Sequence, residues 1–244
     1  MTTARSLVKR GKRYQDIAKL VEYGRTYLPE EAIDLVKQTA RTTVDETVEC
    51  HIRTNADPRH ADQLIRSVVM LPHGSGKTRT VLAFVQGEAE AIARDAGVDY
   101  IGDEETIARI EKNGWVEFDV SIATPDMMGR IGRLGRILGR RGLMPNPRTG
   151  TVVQVKDLPR AIQEAKGGRL EFRMDRSANI HCSIGKASFS TQALLENLTA
   201  LLDAVSQARP DGVKGQLYQG IHLATSMGPG VKLDLTRALS LKLA

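Results

Sequence analysis

The chain has 244 residues, 41% hydrophobic and 26% charged, enough apolar side chain to bury one large core or two smaller ones. No apolar run is long enough to cross a bilayer as a helix and no secretory pattern opens the chain, so the cytosol is the expected compartment and no membrane partner is expected. Lys and Arg number 35 against 29 Asp and Glu, a formal charge of +6 that favours a polyanionic partner without requiring one.

The chain opens on a polar, basic stretch with Arg5, Lys9, Arg10, Lys12 and Arg13. Pro29 then starts a helix, with Glu30 and Glu31 favouring its N-terminal dipole and Ala32, Ile33, Leu35 and Val36 forming an apolar face. Val44 to Ile52 alternates as a half-buried strand, with Asp45 and Glu46 read as surface charges at its start. Asp57-Pro58 is expected to cap a short helix through Leu64 and Ile65, followed by a strand at Ser67–Leu71.

The middle of the chain reads as strand Thr80–Val85, a helix through Ala89 and Ala93, strand Val98–Ile101, helix Glu104–Lys112 and strand Glu117–Ala123. That order describes a small parallel α/β layer, a domain of its own over roughly 69–157. A helix over Leu158–Ala165 then stops at Gly167-Gly168, and strands follow at Leu170–Met174 and Ile180–Ile184. A long amphipathic helix covers Thr191–Ala208, and two last strands flank Ser226–Gly230, giving an α+β pattern.

Cys50 and Cys182 belong to no CxxC pair. The neighbours Cys50–His51 and His181–Cys182 invite a zinc reading. In strands, however, adjacent side chains point to opposite faces, so either face holds only half of a tetrahedral set. Buried thiols are the simpler reading, and no metal or other cofactor is expected.

Three segments carry the functional signal. Gly74-Ser75-Gly76-Lys77-Thr78 imitates the end of a phosphate-binding loop, but Leu71 stands where the first glycine belongs, and a strand follows where a helix should. Gly129 to Arg148 interleaves glycines with Arg130, Arg133, Arg136, Arg140, Arg141 and Arg148, and no Asp or Glu lies between Asp126 and Asp157. It reads either as a phosphate-binding loop or as a solvated basic one. Ser226-Met227-Gly228-Pro229-Gly230 offers a hydroxyl for a ribose 2′-OH, a thioether for an apolar face and a glycine for close approach, or else simply a tight turn. No catalytic residue set is present: nucleophile elbows and zinc-binding His–Glu spacings are missing. With four Phe, five Tyr and one Trp, the expected target is structured RNA rather than stacked single strands.

The strings PHGSGKT (72–78), WVEFDVSIATPDMMGRIGRLGRILGRRGLMPNP (115–147), GTVV (150–153), IHCSIGKASF (180–189) and SMGPGVK (226–232) together resemble the ribosomal protein L-one family of the large subunit, in its bacterial or organellar form. The resemblance implies an α/β and α+β fold in two domains. A discontinuous α+β domain is formed by both chain ends (1–68 and 158–234), and an α/β, Rossmann-like three-layer domain (69–157) is inserted on a two-stranded hinge, with 235–244 as an extension. It implies a structural, non-enzymatic role: binding the stalk helices of large-subunit rRNA, assisting release of deacylated tRNA from the exit site, and repressing the protein's own operon mRNA. A monomer is expected away from the ribosome. The RNA-contacting positions it implies are Thr47, Lys186, Ser188, Phe189, Ser226, Met227 and Gly228. Arg133, Arg136, Arg140 and Arg141 remain as a secondary RNA contact at the rim of the inserted domain. Two departures from the family pattern are Val44, where an aromatic is common, and Arg141, where a proline is usual.

Overall fold

A computed structural model describes residues 11–241, so Arg5, Lys9 and Arg10 of the basic N-terminal stretch and the end of the extension lie outside the described residues. In chain order the helices and strands begin with α1 (Lys12–Ala18) and α2 (Pro29–Thr39), where Pro29 starts the helix and Ala32, Ile33 and Val36 are fully buried. β1 (Thr47–Thr54) buries Val48, Cys50 and Ile52 on one face and turns Glu49, His51 and Arg53 to the other.

The expected helix through Leu64 and Ile65 is absent. The Asp57 carboxylate accepts the Arg59 amide N–H and the Gln63 side chain accepts that of Asp57. These local bonds divert the chain into turns and a single 3-10 turn at Ala61–Gln63, after which Leu64 is extended.

β2 (Arg66–Met70), β3 (Val81–Phe84), α3 (Glu88–Asp95), β4 (Tyr100–Ile101), α4 (Glu104–Asn113) and β5 (Val120–Ala123) follow. Asp103 caps α4 by accepting the Thr106 amide, and Gly114 ends it at φ 63°, the left-handed conformation that glycine adopts freely. Beyond β5, the stretch read as an arginine–glycine loop winds instead through helical turns from Pro125 to Arg141, including α5 (Met128–Ile131) and α6 (Gly135–Leu138). Met127, Ile131, Leu134 and Leu138 recur at three- and four-residue spacing and are all 2% exposed or less, which overrides the weak helix propensity of the glycines between them. The chain continues with α7 (Leu158–Gly167), β6 (Arg169–Arg173), β7 (Asn179–Lys186), α8 (Thr191–Gln207), β8 (Tyr218–Thr225), β9 (Val231–Lys232) and α9 (Leu235–Leu239). The C-terminal extension thus starts as a short helix, capped by Asp234 on the Arg237 amide.

The chain divides into two compact units, Met1–Arg66 with Phe172–Ala244, and Ser67–Glu171. Both crossings fall in the two-stranded ribbon of β2 and β6. The first unit holds an antiparallel sheet in the order β7-β1-β8-β9, with α2 and α8 packed on it. Leu194, Leu198 and Leu201 of α8, and Val48, Ile52, Ile184 and Leu223 of the sheet, are all at zero exposure. Asn197, also fully buried, donates to the Ile184 carbonyl at 2.7 Å and satisfies an otherwise costly polar group.

The second unit has three layers. A parallel sheet β4-β3-β5 presents Val81, Ala83 and Ile122 to one side, where Ala89 and Ala93 of α3 pack with Leu158, Ile162 and Ala165 of α7. Leu82, Phe84 and Ala123 face the other side, against Ile107 and Ile110 of α4 and the 127–138 turns. Residues 158–171 therefore belong with the inserted unit and not, as expected, with the chain ends. Without α7 the apolar side of β3 would be left open to water. The lysine-bearing string at 74–78 is a turn region before β3, with Gly74 and Gly76 at φ 68° and 69°. A Cβ on Gly168 would come within 2.5 Å of the Gly74 Cα, so these glycines serve close backbone packing.

Candidate nucleic-acid interface

Sheet register brings three distant segments to one end of the first unit. Thr47, at the start of β1, pairs with Lys186 at the end of β7, while Val48 pairs with Thr225 at the end of β8. The turns 186–189 and 226–230 therefore emerge beside Thr47. Backbone bonds fix them: the Ala187 amide donates to the Glu46 carbonyl at 2.8 Å, and the Ser226 amide donates to the Thr47 carbonyl at 3.1 Å.

Side chains complete the clamp. Lys186 Nζ donates to Thr47 Oγ1 at 3.1 Å and to the Asp45 carbonyl at 3.2 Å. The Asp45 carboxylate accepts both the amide and the hydroxyl of Ser188, at 3.1 and 2.8 Å. Glu46, only 5% exposed, accepts the Met227 amide on Oε2 at 3.1 Å. Burial alone would raise its pKa, but the neighbouring polar groups of Thr225 and Thr42 and the Met227 amide outweigh that and lower it from the ordinary value. Asp45 and Glu46 are thus not simply surface charges: each ties a turn to the start of β1.

Within this frame Ser226 and Met227 face solvent, Met227 with 59% exposure in a protein whose other large apolar side chains are mostly buried. Gly228 has a different reason to be glycine from the one its sequence suggested. An added Cβ would lie 2.4 Å from the buried Thr225 Oγ1 and 3.1 Å from Thr39 Oγ1, so packing beneath the turn excludes any side chain. The half-buried ring of Phe189 lies against Gly185, where a Cβ would meet it at 2.9 Å, and so helps to anchor the turn. Val44 is 73% exposed beside the same site.

The arginine-bearing turns belong to the second unit. Arg130 and Arg133 are engaged by Glu104 and Glu111 of α4, at 3.4 and 3.6 Å. Arg136, Arg140 and Arg141 are exposed and have no ion-pair partner among the described residues.

Residues 36–229 match the model of the ribosomal protein L1p/L10e family, a span that holds every segment of the sheet-end site. The chain belongs to that family. It is 56% identical to "Large ribosomal subunit protein uL1" of Thermomicrobium roseum, over 93% of this chain and 94% of the relative. It is 55% identical to the protein of that name from Chloroflexus aggregans, over 96% and 99%, and 53% identical to that of Dehalococcoides mccartyi, over 96% and 98%. A member of the L1p/L10e family is a ribosomal structural protein and not an enzyme.

The fold brings all the positions expected from the L-one resemblance, Thr47, Lys186, Ser188, Phe189, Ser226, Met227 and Gly228, to one sheet end. Sequence reasoning missed Glu46, which lies 181 positions from Met227 and carries no local mark of the partnership. It missed Thr39 and Thr225 for the same reason.

Proposed function

We propose that this chain is a constituent of the large ribosomal subunit. It binds the stalk helices of large-subunit rRNA through Thr47, Lys186, Ser188 and the Ser226–Gly228 turn, with Phe189 supporting the surface from beneath. The observation that carries this reading is the fixation of Met227: an exposed thioether on a turn whose amides are held by Thr47, Glu46 and Thr225. A turn held in this way can read a preformed RNA groove by shape and 2′-OH contacts, while nearby lysines add salt-dependent affinity.

The chain crosses between its two units only in the β2–β6 ribbon, which supports a stalk that moves to assist release of deacylated tRNA from the exit site. Away from the ribosome, the same surface would serve a cytoplasmic monomer as a repressor binding its own operon mRNA. Arg133, Arg136, Arg140 and Arg141 are assigned a secondary RNA or tRNA contact.

Filter binding to an rRNA stalk-junction fragment tests the site. Met227→Ala is expected to weaken binding about tenfold, roughly 1.4 kcal/mol, with little change in thermal midpoint. Lys77→Ala, in the exposed turn of the other unit, should bind like the parent. Parental affinity in Met227→Ala would overturn the site assignment, and no binding by the parent would overturn the RNA reading.

A further inference from the structure

The outward face of the four-stranded sheet carries a row of histidines. His51 on β1 stands opposite His181 on β7 and His222 on β8. The neighbouring Cys50 and Cys182 point into the core, where burial pushes the Cys182 thiol up to about 12 and the Cys50 thiol higher still. The thiols are therefore lost to any surface ligand, but the two imidazoles remain together.

Their geometry is specific. His51 Nδ1 and His181 Nδ1 lie 2.9 Å apart. The remote nitrogens each face a carboxylate: His51 Nε2 lies 3.7 Å from Glu49 Oε2, and His181 Nε2 lies 3.5 Å from Asp175 Oδ2. Asp175 is itself fixed, because its Oδ1 accepts the amides of Ser177 and Asn179 at 2.7 and 2.8 Å. These distances exceed a hydrogen bond, yet both carboxylates favour a proton on Nε2. An Nδ1–H of one ring can donate across the 2.9 Å gap to the other; with both rings protonated on Nε2 instead, the two Nδ1 lone pairs face one another and can share one cation.

We propose that His51 and His181 chelate a divalent transition-metal ion through their Nδ1 atoms, with Glu49 and Asp175 orienting the rings. Metal–imidazole bonds are about 2.0–2.1 Å long, so a 2.9 Å span corresponds to an N–metal–N angle of about 90°. A tetrahedral ion would need a wider span, of about 3.3 Å. The pair thus suits the tetragonal preference of Cu2+ first and Ni2+ next. Among the described residues no group of three or more His, Cys, Asp or Glu converges on one point, so water completes the coordination. The side chains are 32% and 53% exposed, which leaves that water a path. A carboxylate behind a metal-bound imidazole is the usual outer-shell arrangement.

The test is titration of the full, chelator-treated chain with CuCl2, followed by calorimetry and by EPR for nitrogen coupling. One site with two coordinated imidazoles is expected in the parent. His51→Gln and His181→Gln should each weaken that site at least about tenfold, and Glu49→Gln by about tenfold. His60→Gln should leave it unchanged, since that side chain has no hydrogen bond or ring contact with the pair among the described residues. Unaltered far-UV circular dichroism confirms that each variant is folded. Equal Cu2+ affinity in the parent and the His51→Gln/His181→Gln double variant would overturn the proposal, as would a signal from fewer than two imidazoles. No binding by the parent would show that the pair shares only a proton, and would overturn it equally.

Discussion

The sheet end at Thr47 and the helical turns at 127–141 are the two surfaces proposed to meet RNA, and they are built in opposite ways. The first holds its turns by hydrogen bonds to Thr47, Glu46, Asp45 and Thr225. The second carries Arg136, Arg140 and Arg141 on an outer face whose opposite side is core, and those side chains have no ion-pair partner among the described residues. Phosphate attraction needs only charge, whereas reading a groove needs atoms fixed in advance. Charge density marked the second surface in the sequence, while preorganisation is visible only at the first.

That contrast can be broken by experiment. The largest effect is expected for Gly228→Ala, whose Cβ would collide with the buried Thr225 hydroxyl and displace the turn. A loss on the order of 2–3 kcal/mol in RNA binding, with a measurable drop in thermal midpoint, is expected from filter binding and melting curves. Binding equal to the parent would show that the turn is not preorganised.

Next comes Glu46→Gln. The Glu46 pKa is held below its ordinary value of 4.5, so its stabilising charge is fully present above pH 4.5 and is lost as pH falls through the lowered value. The parent should therefore be more stable than the variant by about 1–2 kcal/mol at neutral pH, with the gap closing only below pH 4.5. A constant gap from pH 7 to pH 3 would remove the carboxylate from the account.

The smallest effect is expected for the double charge reversal Arg136→Glu/Arg140→Glu. Stalk-junction affinity should stay within about twofold at moderate salt, with a slightly shallower salt dependence. A loss comparable to Met227→Ala would mean that both surfaces grip the same RNA.

Much of this molecule was legible in its sequence because local rules dominate there. Proline and glutamates at 29–31 and the three-and-four spacing of α8 describe helices whose hydrogen-bond partners lie within a few residues, and the alternation along β1 marks its buried face without naming its partner strands. The strings around 115–147 and 226–232 sufficed to suggest the family. Tertiary structure decided the rest. Leu158 and Ile162 read as an ordinary amphipathic helix, and only the open side of β3 assigned them to the inserted unit. The glycines at 129, 132, 135 and 139 suggested a loop, until four apolar residues buried on one side compelled helical turns. The reason is common to both: which face is covered, and which carboxylate meets which amide, depends on pairings between residues far apart in the chain. Glu46 with Met227 and His51 with His181 are such pairings, and no local pattern in the chain records either.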